Sequence, residues 1–174
     1  SPAEAIAAGL ALLTEDRKEQ GLVLTADVAT NISLAAGKQF LRGLYFDHAR
    51  ERAVAAGYVR KLAIRTPSVT FPVRLLSGGN QQKALLARWL CSGARVFLLD
   101  EPTRGIDVEA KRFVYGLVRE LAAAGHAVVF ISSELPEVLE VADRILVLHR
   151  GQPCGEVARG QADEHALLML AMGN

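Results

Sequence analysis

Residues 76–82 read LSGGNQQ and residues 96–102 read VFLLDEP, and these two stretches decide the fold of the chain. In the first, a hydroxyl, two glycines and three amides open a segment whose apolar residues recur at helical spacing. Because the first N–H groups of a helix have no partner within the helix, such an opening can face an anion at close range. The pattern predicts a helix that Ser77 caps and that runs to about Cys91, although Ser-Gly-Gly is also common in loops and the stretch could be only a capped helix.

The second stretch is an apolar run that ends in two acids, Asp100 and Glu101. Residues 96–99 lack polar alternation, which indicates a parallel strand covered on both faces. Acids at strand ends are often helix caps, but they can also hold and use a magnesium-bound phosphate. The residue types alone leave both readings open.

Taken together, the motifs resemble the nucleotide-binding subunits of ABC transporters, in their order and in the 23-residue gap from Ser77 to Asp100. Residues 103–107, TRGID, match the family's D-loop, and residues 131–134, ISSE, fall at its switch loop. The phrases DEPTRGIDV and SSELPEV look like the C-terminal ATPase half of bacterial subunits that import ribose, galactose, xylose and related sugars. The resemblance covers nearly the whole chain. It implies an α/β fold of the P-loop NTPase, ABC ATPase type, with a parallel sheet and a helical subdomain.

The resemblance also implies the cofactors, ATP and Mg²⁺, and roles for individual residues. Asp100 would bind the magnesium ion and Glu101 would polarise the attacking water as general base. Asp107 would make contact across the dimer interface in addition to capping its own helix. The signature residues would contact ATP held by the opposite ATPase half, and these are Ser77, Gly78, Gly79, Asn80 and Gln81.

Two positions depart from the family pattern. Ser133 stands where most members carry the catalytic switch-loop histidine, and a hydroxyl cannot hold a positive charge near the γ-phosphate. His126 cannot replace it, because at ~3.3 Å per residue it lies about 23 Å away along the strand. Glu15 stands where a glutamine is usual. Its carboxylate could approach magnesium, but phosphate would repel it unless the metal lies between them.

The sequence contains no G-x-x-x-x-G-K-[ST] phosphate loop, since Gly37-Lys38 is followed by Gln39 and Ile32 stands where the first glycine belongs. We therefore expect residues 1–174 to be a partial nucleotide-binding domain that lacks N-terminal strands and the phosphate loop. In the family's sheet one missing strand would lie between residues 127–131 and 145–149. We expect a gap there or direct pairing of those two strands, with exposed apolar sheet surface and self-association.

Strand and helix signals along the chain predict an α/β plan. Asp27, Asp47 and Asp107 are suited to cap helices. Within the predicted domain, the helical and signature subdomain would span about residues 25–90, and residues 1–24 and 91–174 would form the rest of the α/β core. The finer predictions are a strand at 10–14, a loop at 15–20, a helical region at 27–64, a helix from 107 to 125 and buried strands at 127–131 and 145–149.

Composition excludes several classes of protein. A length of 174 residues with 51% apolar content suits one α/β domain. Twenty basic against nineteen acidic residues, with no block of like charge, disfavours a nucleic-acid partner. Cys91 and Cys154 form no metal-binding pattern and are expected to be reduced thiols. No apolar stretch reaches the ~18 residues that would span a bilayer, so any membrane link would come through a partner.

The leading hypothesis is the ATP-binding and ATP-hydrolysing component of a bacterial ABC importer for a monosaccharide or similar small polar solute, with the isolated fragment inactive. Its implied partners are the first ATP-binding half of the same subunit or a second subunit, a transmembrane permease and, indirectly, a periplasmic or extracellular solute-binding protein. Its implied location is the cytoplasmic face of the bacterial inner membrane. One alternative, favoured by Ser133 and Glu15, is a half that never turns over ATP and completes its partner's site. Another is an ABC-type ATPase of DNA repair or chromosome maintenance, which the near-neutral charge disfavours.

Overall fold

The computed structural model describes residues 1–161 and 163–173, which form two compact units, Ser1–Val129 and Phe130–Asn174. The first unit contains, in chain order, α1 (Pro2–Ala7), β1 (Leu10–Leu13), a π-helical turn (Arg17–Gly21), α2 (Val28–Ser33), a 3-10 helix (Leu34–Phe40), β2 (Leu41–Arg42), β3 (Tyr45–Phe46), α3 (His48–Lys61), a short 3-10 helix (Val73–Leu75), α4 (Gly78–Cys91), β4 (Val96–Asp100), α5 (Val108–Ala123) and β5 (Ala127–Ile131), which crosses the boundary. The second contains α6 (Leu135–Val141), β6 (Arg144–His149), β7 (Gln152–Ala158) and α7 (Glu164–Ala171).

The central sheet has the strand order β1-β4-β5. β1 and β4 run parallel, with Leu10 opposite Val96 and Leu13 opposite Leu99. Because the two strands end at the same level, the residues that follow them meet at one carboxyl edge. Phe97 and Leu99 are buried, whereas Val96 and Leu98 are only half-buried. One face of β4 is therefore buried as predicted, whereas the other face is only half-buried.

Two of the aspartates that the sequence predicted as caps lie at helix starts. Asp27 accepts a hydrogen bond from the Thr30 N–H at 2.8 Å, and Asp47 accepts one from the Arg50 N–H at 2.9 Å. An aspartate oxygen at this position satisfies one of the free N–H groups of the first turn. The predicted caps of α2 and α3 are confirmed.

Two local predictions are wrong in detail. Residues 15–20 are not all loop, because Asp16 caps the π-helical turn by accepting from the N–H groups of Lys18 and Glu19. The region 27–64 is not helical throughout, because β2 and β3 form a hairpin within it. Gly43, in the left-handed region at φ 62°, supplies the conformation that the hairpin turn requires.

The strands expected to be buried at 127–131 and 145–149 are not buried on both faces. In β5, Val129 and Ile131 are each about half exposed. In β6, Ile145 and Val147 lie in the core of the second unit with Leu167, while Leu146 and Leu148 point outward. The apolar runs predicted burial on both faces, but one face of each strand is largely exposed. The expected exposed apolar sheet surface is therefore present, and self-association stays a prediction.

The second sheet is a separate antiparallel pair, β6 and β7. Direct pairing of the strands at 127–131 and 145–149, one of the two expected outcomes, is not seen among the residues that the structure describes. The proposed subdomain boundaries near residues 25 and 90 stay a prediction. None of the described helices is long and apolar enough to cross a membrane.

Candidate functional site

The acid pair follows β4 at the carboxyl edge of the sheet. Asp100 is the last residue of the strand, and both Asp100 and Glu101 are half-buried. Glu101 adopts a left-handed backbone conformation, φ 44°, which is uncommon for a residue other than glycine. Its carbonyl accepts a hydrogen bond from the Arg104 N–H at 3.1 Å. The acids thus open a tight turn whose backbone strain is of the kind that concentrates at functional sites.

The start of α4 is the second element of the site. Ser77 is exposed and precedes the helix, but its side chain does not cap it. Instead its Oγ accepts a hydrogen bond from Asn80 Nδ2 at 2.9 Å, and Asn80 Oδ1 accepts one from the Arg65 N–H at 2.8 Å. The predicted helix is confirmed as Gly78–Cys91, but the predicted side-chain cap by Ser77 is wrong, because the Ser77 hydroxyl is bonded to Asn80 instead. Among the described residues no side chain caps its first N–H groups, which leaves them for an external acceptor.

Packing within the chain leaves little room for a Cβ at either signature glycine. A Cβ on Gly79 would lie 2.8 Å from the Cβ of Ala110, so α4 and α5 approach each other here at backbone distance. A Cβ on Gly78 would lie 2.7 Å from Arg17 Nη2 and 3.2 Å from the Gly105 carbonyl oxygen. Sequence reasoning assigned the glycines to phosphate approach. The structure adds a reason that operates without nucleotide.

The two glutamines that follow Asn80 turn inward. Gln81 is buried, and its Nε2 donates to the carbonyls of Val73 at 3.3 Å and Arg74 at 3.4 Å. Gln81 therefore does not face the helix start, and its role in ATP binding stays a prediction. Gln82 was missed by the sequence reasoning: its Nε2 donates to the Pro102 carbonyl at 2.6 Å. This bond joins the signature helix directly to the turn that follows the acids.

Asp107 lies beside the signature start. Its Oδ1 accepts from the Ala110 N–H at 2.8 Å, which confirms the predicted cap of α5. Its Oδ2 would lie 3.7 Å from a Cβ on Gly79. The carboxylate is exposed, so contact with a second ATPase half remains open to it and stays a prediction.

Glu15 lies just beyond the end of β1, at the same edge as Asp100. Its carboxylate forms an ion pair with the guanidinium of Arg104. The described residues include no group of three or more His, Cys, Asp or Glu side chains that could hold a metal ion. Mg²⁺ needs six oxygens in octahedral geometry and usually takes several from phosphate and water, so Asp100 fits as a single protein ligand. Glu15 pairs with Arg104 in this structure, and its role as a magnesium ligand stays a prediction.

Ser133 lies in the second unit, in the exposed segment between β5 and α6. The neighbouring Ser132 Oγ donates to Glu137 Oε2 at 2.9 Å and accepts from the Glu134 N–H at 3.0 Å, which fixes the start of α6. The catalytic role of Ser133 stays a prediction. His126 packs edge-on against Phe97 at the other end of β5, with ring centroids 5.6 Å apart.

A buried cation, Arg88, anchors α4 to the segment after β1, and the sequence reasoning did not find it. Its guanidinium donates to the Asn31 carbonyl at 2.8 Å, to Asn31 Oδ1 at 2.9 Å and to the Gly21 carbonyl at 2.5 Å. Burial lowers the pKa of Arg88 to about 10, so the group still carries its charge at neutral pH. A basic residue in an apolar helix is the only sequence signal, and it more often marks an exposed face.

Comparison with known proteins adds the family. The ABC transporter family model matches residues 8–104 of this chain. The chain is 52% identical to the arabinose import ATP-binding protein AraG of Burkholderia pseudomallei, over 99% of this chain and 35% of that protein. It is 51% identical to a Burkholderia ambifaria protein whose name assigns it to ribose, galactose or methyl galactoside import, over 98% of this chain and 34% of the relative. The chain therefore spans about a third of the length of the curated relatives it matches.

A solved structure agrees in fold. The ATP-binding cassette MJ0796, determined as a dimer in a post-hydrolysis state bound to ADP and Pi, matches with a TM-score of 0.71 and 19% identity. The match covers 86% of this chain and 62% of that one. At this identity the likeness shows the fold alone, and it confirms the predicted α/β fold of the ABC ATPase type.

Proposed function

This chain belongs to the ABC transporter family, and from that premise we propose that it forms part of the C-terminal ATP-binding half of a bacterial importer subunit. In that subunit, binding and hydrolysis of ATP with Mg²⁺ would drive uptake of a monosaccharide or similar small polar solute. The observation that carries the proposal is the start of α4, which Ser77 does not cap and where Ser77 is exposed and Gly78 half-buried, next to the turn of the acid pair. Identity of 51–52% with sugar-import subunits supports the same function.

The two parts of the site would serve different ATP molecules. The start of α4, through Ser77 and the N–H groups of the two glycines, would contact the γ-phosphate of ATP held by the other ATPase half. Asp100 would take one position on Mg²⁺, and Glu101 would orient and deprotonate the attacking water at this half's own site. The magnesium ion would neutralise charge on the phosphates when bound.

The solute class comes from the relatives. Their names specify arabinose and ribose, galactose or methyl galactoside, which are small neutral sugars. The chain would reach the membrane through a permease, at the cytoplasmic face, and a solute-binding protein outside would deliver the sugar. Because the relatives are importer subunits, import is favoured over the DNA-repair or chromosome-maintenance alternative.

A second candidate function is a half that binds nucleotide without turning it over. Glu15 is already engaged by Arg104, and a hydroxyl replaces the switch-loop histidine at Ser133. The hydroxyl cannot stabilise charge on the γ-phosphate as a histidine cation would, and a carboxylate paired with Arg104 contributes less to holding Mg²⁺. In this candidate, Glu101 would be dispensable for transport and the signature residues would not.

The two candidates separate in one experiment. The complete subunit that carries this chain would be reconstituted with its permease in proteoliposomes, and uptake of labelled arabinose, ribose and galactose would be measured. We expect Ser77→Arg, which places a bulky cation at the helix start, to reduce uptake at least tenfold. Glu101→Gln reduces it comparably if this half hydrolyses ATP, whereas uptake within twofold of the unmodified subunit establishes the second candidate. Glu164→Gln, on the exposed first turn of α7, is the matched control. Full uptake with Ser77→Arg would contradict both.

A further inference from the structure

A single side chain, Arg17, connects the segment after β1 to the D-loop. It belongs to the π-helical turn that begins two residues beyond Glu15. Its Nη1 donates to the Arg104 carbonyl at 3.0 Å, and its Nη2 donates to the Gly105 carbonyl at 3.3 Å. The planar guanidinium can serve two successive carbonyls at once, which a lysine ammonium on its flexible stem does less well.

The connection runs in both directions. While Arg17 reaches the backbone of residues 104–105, the Arg104 side chain returns to the Glu15 carboxylate. Two separate charged groups therefore tie residues 15–17 to residues 104–105. Glu15, Arg17 and Arg104 also line, with Asp16 and Lys18, a surface cleft of about 250 Å³.

The same guanidinium touches the opening of the signature helix. A Cβ on Gly78 would lie 2.7 Å from Arg17 Nη2, a distance that real Cβ atoms do not show. Gly105 has a φ of 67°, and a Cβ placed on it would lie 3.8 Å from Arg17 Nη1. The guanidinium thus fills the space between two glycines, one at the start of α4 and one in the D-loop.

We propose that Arg17 is a positioning residue of the nucleotide site, which fixes the D-loop backbone against the start of the signature helix. It does not contact the reacting atoms. Its consequence for ATP rests on the proposed function, because the surfaces it aligns, Asp107 and the α4 start, would both face the opposite half. The alignment itself rests on the hydrogen bonds and close packing described above.

Hydrogen exchange on this chain tests the alignment directly. We expect Arg17→Ala to raise amide exchange in residues 101–107 and 77–80 about tenfold, while exchange in α3 stays within twofold. Arg17→Lys gives an intermediate rise, because one ammonium replaces two parallel donors. Lys18→Ala, the exposed neighbour, is the matched control and changes neither region. A rise of equal size in α3 would show general loosening and would overturn the proposal.

A double-mutant cycle tests whether Arg17 acts through its contact with Gly78. Gly78→Ala makes the guanidinium shift away from its bonds to residues 104–105, so we expect it to lower the folding equilibrium constant several-fold in urea titrations. In the Arg17→Ala background the same change should cost several-fold less. Gly79→Ala is the control, because its methyl group meets Ala110 and its cost should be equal in both backgrounds.

Equal costs of Gly78→Ala in both backgrounds would overturn the proposal. If Gly78→Ala folds only when Arg17 is replaced, that rescue supports it. If Gly78→Ala folds in neither background, the exchange pattern of Arg17→Ala decides. None of these measurements uses nucleotide, so failure of the sugar-uptake experiment leaves them unaffected.

Discussion

Replacing Arg88 with methionine tests whether a buried charge holds the signature helix in place. Arg88 is only 6% exposed, and its guanidinium donates three hydrogen bonds, all to oxygens of Gly21 and Asn31. Methionine keeps a similar stem length and removes every donor. The helix α4 would then lose its tie to the segment that leads from β1 into α2.

The magnitude follows from which oxygens are left without a donor. Asn31 Oδ1 still accepts from the Val23 N–H at 2.9 Å, so it is not orphaned. The carbonyls of buried Asn31 and half-buried Gly21 each lose the guanidinium, and an unsatisfied buried acceptor costs about 1–3 kcal/mol, less where water can reach it. Methionine avoids the cost of burying a charge, which offsets part of that loss. We expect Arg88→Met to lower the free energy of unfolding by about 2–3 kcal/mol and Tm by roughly 5–10 °C.

Urea unfolding of the purified chain, followed by tryptophan fluorescence, measures this change, because Trp89 lies on the same helix. Arg42→Met is the control, since Arg42 forms an exposed ion pair with Asp47 at 2.9 Å and exposed pairs contribute about 0–1 kcal/mol. A variant as stable as the wild type, or more stable, would refute the reasoning. It would show that the cost of burying the guanidinium exceeds the value of its three bonds.

Two further predictions concern the thiols and the D-loop. With a thiol reagent at pH 8, exposed Cys154 should react at once and buried Cys91, whose pKa burial raises, only after urea is added; two rapid thiols in the native protein would contradict the packing of α4. Asp107→Ala should lower the free energy of unfolding by about 1 kcal/mol and speed hydrogen exchange in the first turn of α5. Asp107→Asn should retain most of the stability. Equal losses of stability in the two variants would show that the charge, and not the cap, matters for folding.

Local rules predicted what depends on neighbours in sequence. Asp27, Asp47 and Asp107 cap their helices because an aspartate oxygen reaches an N–H three residues ahead. The parallel strand at 96–100 also follows from its own residues. By contrast, the exposure of Val129 depends on what covers the sheet, which an apolar run in the sequence does not indicate.

Contacts distant in sequence explain the rest of the site. Arg88 reaches oxygens 57 and 67 positions away, so its burial has no signal in the helix that carries it. The pairing of Glu15 with Arg104 likewise joins two turns that only the parallel register of β1 and β4 brings together. The sequence pattern identified glycine at positions 78 and 79, but it could not separate nucleotide approach from packing against Arg17 and Ala110.

Hydrogen bonds from three side chains hold the signature helix against the segments at the carboxyl edge of the sheet. Gln82 donates a hydrogen bond to the turn after the acids, and Arg88 donates to the segment after β1. Arg17 donates to the D-loop beside the helix start. In the proposed function the acids and the helix start serve different ATP molecules. A displacement of the acid turn would therefore move the surface offered to the second nucleotide, because hydrogen bonds from these three side chains connect the two regions. Coupling between the two ATP sites would then pass within this chain, through side chains that touch neither nucleotide.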